Sequence, residues 1–434
     1  MSGPVKIKYG NLTMALPAAQ AVASDIALPK VNYLPPTAGQ SQSAWNTAGA
    51  FLDYTIPKSI GVLNNLKLRF QVSNNSAEPV PAPPLPFWVQ QVEVYIGGSQ
   101  IEVVYPNELF NEVVGFKTKE ELDTEGAYLG TTYAQNSQSA QVLQLPVAST
   151  TAFNTQQYYY LPLPNCLTTA HLYVAGVSED VRFRVYFPPN LFPTGTSGVV
   201  CSSCVMVIEE DCVSAADVAK YDQGHRDGIV YNTVVRQRQN QTITKSGTAD
   251  NTIELTGLSG ASAGIMVYAA PAVVPNFGST SADITNSTSP SAPPVFTNVP
   301  TNQLLYQRYP ISSSLELDDA MGAKRTEELR TEDLSTFTWY SHITTNFADR
   351  FATYLVPFSS AVRRAIEDGT NQGALVLRGN DRLVVRGQPV TCSNSGPYSA
   401  GASETWNITV TNYCCQALVF KGRALTNVIR KIAA

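Results

Sequence analysis

Charged side chains are scarce in this chain of 434 residues. Asp, Glu, Lys and Arg together make up 15% of it, whereas an ordinary soluble domain has about 25%. The formal net charge is -5, and no run of Lys or Arg occurs. Because wrapping nucleic acid requires clustered basic side chains, we expect no strong direct nucleic-acid binding. A surface poor in charge suits a protein that packs against its own copies, since each buried interface charge needs a partner.

Long apolar runs are also missing. No stretch of 18 apolar residues occurs, which excludes a membrane-spanning helix on length alone. Near the N-terminus, Pro17 and Gln20 interrupt the short apolar segment that precedes an Ala-x-Ala triplet at 21–23. Because a signal peptide needs a continuous apolar stretch, we expect this segment to stay in the mature chain.

Histidine is rare. His171, His225 and His342 lie far apart, and none has a companion at the spacing of metal ligands. His171 is predicted to begin a strand, and His225 is predicted to lie in a turn. No GxSxG nucleophile motif occurs either. The sequence therefore predicts no catalytic, metal-binding or cofactor-binding residue.

The seven cysteines are odd in number and irregular in spacing, unlike a disulfide framework. Cys201 and Cys204 lie in the apolar run VVCSSCVMVI. In a regular strand their side chains point to opposite faces, so we predict buried strand cysteines rather than half of a zinc site. Unpaired cysteines favour assembly in the reducing interior of a cell.

Strand-like alternation dominates what the sequence does contain. Segments LKLRFQV at 66–72 and VRFRVYF at 181–187 place an apolar residue at every second position. Glycine and proline, 28 of each, mark many turns between such segments. The simplest fold for about eight short strands in succession is a sandwich of two sheets packed face to face. The predicted fold class is all-β, with two such sandwiches in succession.

The stretch FWVQQVEVYIGGSQIEVV predicts a β-hairpin. Gly97 and Gly98 can adopt the positive φ angles of a tight turn. Alternating apolar residues lead into this turn, and Ile101, Val103 and Tyr105 resume the alternation after it. We therefore predict that these three side chains share one face of the returning strand.

A short helix is predicted directly after this hairpin. Pro106 stops the strand, and Asn107 is a candidate N-cap. Leu109, Phe110 and Val113 then recur at helical spacing. Such a helix would decorate the edge of a sheet.

The domain organisation follows from composition. Residues 1–45, rich in Pro, Ala, Gln and Ser, predict an extended arm, and residues 46–213 predict the first sandwich. A short helix and turn at 214–228 predict the junction. Residues 229–434 predict the second sandwich, whose segment 272–302 is poor in core-forming residues and predicts a long surface loop.

Surface helices are predicted from residue 318 and from residue 358, with caps at Asp318 and Ser359. The acidic clusters at 209–211, at 318–319 and at 120–121 are the candidates for paired catalytic carboxylates. Adjacent strand residues point to opposite faces, so the first cluster is predicted to be a strand end that enters water. The second fits the start of a helix, where the helix dipole favours carboxylates.

The hairpin and helix resemble a motif of the double jelly-roll major capsid proteins of icosahedral DNA viruses, with virophage and polinton-like viruses nearest in length. In that family a Gly-Gly turn precedes an Ile-Glu strand and a Tyr-x-x-x-Leu helix. The segment ALVLRGNDRLVV is similar to a second family segment. The matching positions are Gly97, Gly98, Ile101, Glu102, Tyr105, Leu109, Gly379, Asp381 and Arg382.

The resemblance implies a structural role. It implies two eight-stranded jelly rolls side by side, and homotrimers of pseudo-hexagonal outline that pack against neighbouring capsomers in the virion. The loop at 272–302 would project outwards, and the arm at 1–45 would run along the inner face towards a possible membrane. Minor capsid or penton proteins are possible further partners, and the chain would assemble inside the host cell.

Two alternatives remain open at the level of the sequence. A secreted β-sandwich that binds carbohydrate or hydrolyses glycosides needs an exposed aromatic platform or facing carboxylates. Tyr158, Tyr159 and Tyr160 are the candidate platform, although alternation sends Tyr159 inwards. A shell protein with one jelly roll usually carries an Arg-rich arm, and no such arm occurs in this chain.

Overall fold

The computed structural model describes residues 5–9, 12–16, 26–39, 50–75, 80–82, 85–110, 112–113, 143–145, 157–188, 199–246, 250–271, 314–330, 353–359, 362–369, 374–386 and 403–430. The strands of the N-terminal half are β1 (Val5–Tyr9), β2 (Leu12–Leu16), β3 (Ile26–Leu34), β4 (Ala38–Gly39), β5 (Phe51–Thr55), β6 (Val62–Asn74), β7 (Val80–Ala82), β8 (Gln91–Ile96), β9 (Ser99–Val104), β10 (Leu143–Leu145), β11 (Gln157–Pro162), β12 (Val181–Tyr186) and β13 (Val199–Val213). Those of the C-terminal half are β14 (Ile229–Ser246), β15 (Asn251–Glu254), β16 (Gly260–Pro271), β17 (Ser314–Asp318), β18 (Leu329–Arg330), β19 (Thr353–Pro357), β20 (Leu375–Leu377), β21 (Arg382–Arg386), β22 (Ser403–Lys421) and β23 (Ala424–Arg430).

Short helices decorate these strands. The α-helices of the described residues are α1 (Pro106–Phe110), α2 (Cys166–Thr169), α3 (Ala215–Asp227) and α4 (Val362–Asp368). Two 3-10 turns lie at Leu85–Trp88 and Val174–Gly176. Within the described ranges no helix is long and apolar enough to span a membrane.

The N-terminal half is a sandwich of two antiparallel sheets. One sheet has the strand order β11-β6-β13-β3, and the other has the order β4-β5-β12-β8-β9. The predicted alternation is confirmed: Leu66, Leu68 and Phe70 of β6 and Phe183 of β12 are all fully buried. Their burial supplies most of the driving force for closing the sandwich, at about 2 kcal/mol for each large side chain.

The C-terminal half repeats this arrangement. Its larger sheet runs β14-β22-β16-β19, with β20 joined to β16 and β23 joined to β22. Its smaller sheet runs β15-β21-β17-β18. The longest ladder pairs β14 with β22 from Ile229 opposite Phe420 to Ser246 opposite Ser403. The predicted loop at 272–302 lies outside the described residues.

Part of the segment predicted as an arm belongs to the first sandwich. Residues 26–34 form β3, which pairs with β13 through Val31 opposite Glu209 and Leu34 opposite Met206. The strand was not predicted, because the proline-rich composition of this segment indicated an extended arm. An edge strand tolerates proline because one of its sides needs no hydrogen bonds, and Pro29 lies in β3 opposite Asp211.

The predicted orientation of Cys201 and Cys204 is wrong. Both side chains are buried, with 1% and 2% of their surface exposed. A β-bulge between Cys201 and Ser203 inserts one residue into β13, so alternation restarts and both thiols face the core. The hydroxyl of Tyr54 donates to the Cys204 carbonyl oxygen at 3.0 Å. The prediction of buried strand cysteines is therefore right, but for a different reason.

The helix predicted from residue 318 is absent from the described stretch 314–330. Asp318 ends β17, and Asp319 Oδ1 accepts hydrogen bonds from the N–H groups of Met321 at 2.8 Å and Ala323 at 2.9 Å. A carboxylate that binds nearby N–H groups favours a turn over a helix. Gly322, with φ +81°, completes this turn. The helix predicted from residue 358 is present as α4, although it begins later, at Val362.

The acidic cluster at 209–211 does not simply enter water. Glu210 is buried, and its Oε1 accepts from Asn32 Nδ2 at 2.6 Å and lies 3.2 Å from Lys30 Nζ. Its Oε2 accepts from the Gly61 N–H at 2.5 Å. Glu210 continues the alternation of the buried Met206 and Ile208, so its side chain faces inwards. Strand β13 therefore continues past the point where the sequence predicted its end.

Candidate functional site at the junction of the two sandwiches

Glu102 of β9 lies at the centre of a buried polar junction between the two sandwiches. Its Oε2 accepts the N–H of Cys166 at 2.7 Å, which ties β9 to the start of α2. Its Oε1 accepts from Arg236 of β14 twice, from the backbone N–H at 3.0 Å and from Nη1 at 2.7 Å. One carboxylate therefore joins two elements of the first half to the second half.

The face of β9 that carries Glu102 is the buried one. Glu102 and Val104 are buried, whereas Ile101, Val103 and Tyr105 are half-buried. The ladder between β8 and β9 shifts register between Val94 and Tyr95, and a shift of one residue exchanges the two faces of a strand. Ile101, Val103 and Tyr105 share one face, as predicted, and that face is the half-buried one.

Arg236 is held between two carboxylates. Its Nε donates to Glu112 Oε1 at 2.6 Å and its Nη2 donates to Glu112 Oε2, so the pair is bidentate. Only 1% of the Arg236 side chain is exposed. Burial works against the charged guanidinium, yet Glu112 and Glu102 keep the pKa of Arg236 well above its usual value. Burial raises the pKa of Glu112, and Arg236 opposes that increase.

Glu108 of α1 makes a further connection between the halves. Its Oε1 accepts the Thr411 hydroxyl of β22 at 2.9 Å, and its Oε2 accepts the Tyr105 N–H at 2.5 Å. Burial raises the pKa of Glu108 to about 7. The helix begins at Pro106, so Asn107 lies inside its first turn and is not the N-cap as predicted. Glu108 instead closes the start of the helix by accepting the N–H of the preceding Tyr105.

Backbone carbonyls extend the junction. Thr233 of β14 donates to the Cys166 carbonyl oxygen, and Thr169 of α2 donates to the Ile366 carbonyl oxygen of α4 at 2.7 Å. Helix α2 is itself fixed by a capping box between Asn165 and Thr168. Short helices of both halves therefore fill the space between the sandwiches and satisfy each other's polar groups.

A second connection surrounds His225, which lies in α3 and not in a turn as predicted. Its Nδ1 is 2.8 Å from the Tyr221 carbonyl oxygen, and its Nε2 is 3.3 Å from the Tyr231 hydroxyl. The ring of Tyr173 stacks on that of Tyr221 at 4.8 Å between centroids. Burial lowers the pKa of His225. This histidine packs as a neutral core residue between the halves.

The motif residues of the first half lie along β8, β9 and α1. Gly97 has φ +60°, and its N–H donates to the Asp180 carbonyl oxygen at 2.8 Å; Gly98 follows it in the turn. The guanidinium of Arg238 lies 4.0 Å from the ring centroid of Tyr105. Leu109 is fully buried in the core of the first sandwich, and Ile101 packs against that core.

The motif residues of the second half form a separate cluster. Asp381 is fully buried, and its Oδ2 accepts the Arg378 N–H at 2.8 Å and Nη1 of Arg325. Gly379 lies in the turn before β21, which begins with Arg382. Arg382 makes an exposed ion pair with Glu254 at 3.6 Å. The structure does not bring these residues to the junction around Glu102.

The candidate chemistry considered from the sequence finds no support in the described residues. His171 lies in a turn with φ +48° rather than at a strand start. His342 lies outside the described residues. No group of three or more His, Cys, Asp or Glu side chains able to hold a metal ion occurs within the described ranges. Arg236, Glu108 and Glu112 were not predicted as junction residues. For Arg236 the sequence offered one indication, an arginine that directly follows two valines in YNTVVRQ.

Comparison with known proteins identifies the fold. No protein-family model matches the chain, and no curated protein matches it. Among solved structures, VP54 of PBCV-1, fitted into a reconstruction of the virophage Sputnik, matches with a TM-score of 0.62 and 12% identity over 92% of this chain and 97% of that one. The Faustovirus major capsid protein matches with a TM-score of 0.56 and 10% identity over 92% of this chain and 91% of that one.

This chain has the double jelly-roll fold. In the first jelly roll the two sheets are β11-β6-β13-β3 and β4-β5-β12-β8-β9. In the second jelly roll they are the sheets built around β22 and β21. The resemblance stated from the hairpin and from ALVLRGNDRLVV is confirmed at the level of the fold.

Proposed function

We propose that this chain is the major capsid protein of an icosahedral DNA virus and that it builds the virion shell as a homotrimer. The observation that carries the proposal is the double jelly-roll fold, which matches PBCV-1 VP54 over 92% of this chain. The buried junction supports it, because Glu102 and Arg236 hold the two jelly rolls together as one block. Three such blocks present six sandwiches, which gives a capsomer of pseudo-hexagonal outline.

We propose the following boundaries for this building block. The first jelly roll occupies 46–213 together with β3 and β4, the junction occupies 214–228, and the second jelly roll occupies 229–434. Helix α3 starts at Ala215 and ends at Asp227, which supports a junction there. The rest of the segment 1–45 is proposed as an arm on the inner face, with a possible membrane contact, and the loop at 272–302 is proposed to project outwards.

The partners proposed for the chain are its own copies, neighbouring capsomers and possible minor capsid or penton proteins. A net charge of -5 argues against direct genome wrapping. The proposed role is structural and non-enzymatic, it needs no cofactor, and the motif positions from Gly97 to Arg382 act in folding. The proposed location is the virion, after assembly inside the host cell.

The carbohydrate alternative has less support in the described residues. The exposed rings of Tyr33 and Tyr158 are the best candidate platform, with Tyr159 buried behind them as predicted. The guanidinium of Arg69 lies 4.8 Å from the Tyr33 centroid and 5.2 Å from the Tyr158 centroid. A cation that already occupies ring faces competes with a stacked sugar.

Light scattering coupled to size-exclusion chromatography tests the proposal. The expected result is a particle of three times the 46.9 kDa chain mass, or a larger assembly built from such units. A glycan array run on the same preparation gives the comparison. A monomer that binds a glycan would favour the carbohydrate alternative instead.

A further inference from the structure

Most of the large apolar side chains that are exposed in the described part of the chain lie on one sheet. Four of these five are Val31 and Tyr33 of β3, Tyr158 of β11 and Val200 of β13, with between 40% and 56% of their surface exposed. The fifth, Met321, lies in the turn after β17 in the second jelly roll. Single exposed apolar residues are normal, but a group of them on one surface marks an interaction site.

The four side chains share the outer face of the sheet β11-β6-β13-β3. Tyr158 lies opposite Gln71, and Tyr33 lies opposite Val207, so both tyrosines alternate with residues that point into the core. Although Val207 is on this outer face, only 4% of its surface is exposed, because its neighbours cover it. Four strands at a spacing of about 4.8 Å make the surface about 14 Å wide.

Arg69 of β6 connects the two tyrosines. Its guanidinium lies 4.8 Å from the ring centroid of Tyr33 and 5.2 Å from that of Tyr158. Within the described ranges Arg69 takes part in no ion pair, and its Nε is buried without a hydrogen-bond partner. Lys67, the other cation of β6, is paired with Glu209 at 2.6 Å. The surface therefore presents a guanidinium that is held in place by two rings and lacks a carboxylate.

We propose that this patch, formed by Val31, Tyr33, Arg69, Tyr158 and Val200, is the centre of a contact with a second copy of this chain, in which a carboxylate of that copy binds Arg69. The inference rests on the proposed homotrimer and names a surface that the homotrimer uses. Tyrosine and arginine are among the residues that dominate the binding energy of protein interfaces. Each contact in a ring of three joins unlike surfaces, so the patch meets a different, acidic surface of its neighbour.

The charge of the chain favours its own copies over other partners. The sequence has 34 acidic and 29 basic residues, so a second copy offers an excess of carboxylates to an unpaired guanidinium. Nucleic acid requires clustered cations, and Arg69 is a single one. A sugar requires free ring faces, whereas Arg69 already occupies those of Tyr33 and Tyr158. A stable interface buries about 800 Å² on each partner, so further residues must surround this patch.

Dissociation on dilution tests the patch in Y33S and R69Q, with the particle mass followed by light scattering. Each substitution should raise the concentration at which half of the particles dissociate by about thirty-fold, as expected for a residue that dominates an interface. Unfolding midpoints of the single chains should stay unchanged, because Tyr33 is 56% exposed and Arg69 lies outside the core. M321S is the matched control, since Met321 is 95% exposed and lies outside the patch; it should dissociate as the wild type does.

The outcomes separate this inference from the proposed function. A wild type that stays a single chain at every concentration would overturn the homotrimer and the patch together. A wild type that assembles, with Y33S and R69Q dissociating at the same concentration as it does, would overturn the patch alone. A loss in M321S equal to that in Y33S would also overturn it.

Hydroxyl-radical footprinting of the wild type covers the case in which the variants do not fold. Tyr33 and Tyr158 should be oxidised several-fold more slowly in the assembled particle than in the diluted single chain, because a neighbouring copy covers them. Met321 should be oxidised at the same rate in both states. Equal rates in the two states for Tyr33 and Tyr158 would overturn the proposal.

Discussion

At the scale of single residues, Arg236 is a buried cation of the junction, with 1% of its side chain exposed. It is the cation bound directly by both Glu102 and Glu112. A buried ion pair adds little stability over a well-packed apolar substitute, but removal of one partner leaves a charge without compensation. We therefore expect the junction to favour one arrangement of the two jelly rolls over others.

Replacement of Arg236 by methionine tests this role. R236M leaves two buried carboxylates without a cation, so the free energy of unfolding should fall by about 3–5 kcal/mol. R238M is the control, because Arg238 lies two residues further along the same strand and mainly covers the Tyr105 ring; its cost should be about 1 kcal/mol. Urea denaturation measures both. A similar loss in the two variants would contradict the assignment.

A compensating variant tests the same network by removing the carboxylates that bind Arg236. Changing Glu102 and Glu112 to glutamine within R236M removes the uncompensated charges. The triple variant should regain about half or more of the stability lost in R236M, measured in the same urea experiment. A triple variant less stable than R236M would show that packing, and not charge, dominates the site.

The residues of this junction were only partly predictable from the sequence. Glu102 was found through the resemblance to capsid proteins, but its burial was not predicted. Arg236, Glu108 and Glu112 meet through contacts between residues more than 100 positions apart. Periodicity describes one strand at a time, so it does not report which charged side chains meet between sandwiches.

At the scale of elements, short helices set the distance between the jelly rolls. Helix α4 ends at Asp368, and the following Gly369 has φ +64°. A Cβ at Gly369 would lie 2.7 Å from the Asn232 carbonyl oxygen of β14. The absence of a side chain at this position therefore allows α4 to pack against β14 and to reach Thr169 of the first jelly roll.

Alanine at Gly369 tests this close approach. Gly422 is the matched control, because its φ is +61° and a Cβ at that position would have no neighbour within 4 Å. Both substitutions meet the strain of a positive φ, about 1–2 kcal/mol. G369A should cost roughly 1–3 kcal/mol more, because backbone atoms must move apart. Thermal unfolding of the two variants measures the difference. Equal losses of stability in the two variants would mean that α4 moves away from β14 without a further loss of stability.

Elements were predicted well where alternation is regular and poorly where it is interrupted. Residues 66–72 of β6 and the whole of β12 follow the predicted pattern. The bulge in β13 inverts the faces of the residues beyond it. One extra residue is enough to do so, and it leaves no compositional trace. The turn at Asp319 shows the same limit, because acidic residues favour helix starts and turns alike.

At the scale of the whole molecule, the chain is one block with two jelly rolls. The halves share their cores as well as their polar contacts: Tyr231 and Phe420 of the second half pack in the first core, while Phe87 and Phe110 of the first half pack in the second. We expect the two jelly rolls to unfold in a single transition.

Electron microscopy of the purified chain is the most direct test of the proposed building block. We expect particles with three-fold symmetry and a pseudo-hexagonal outline, in which each chain contributes two adjacent sandwiches. Single chains without symmetry, or assemblies in which the two sandwiches of one chain lie apart, would contradict it.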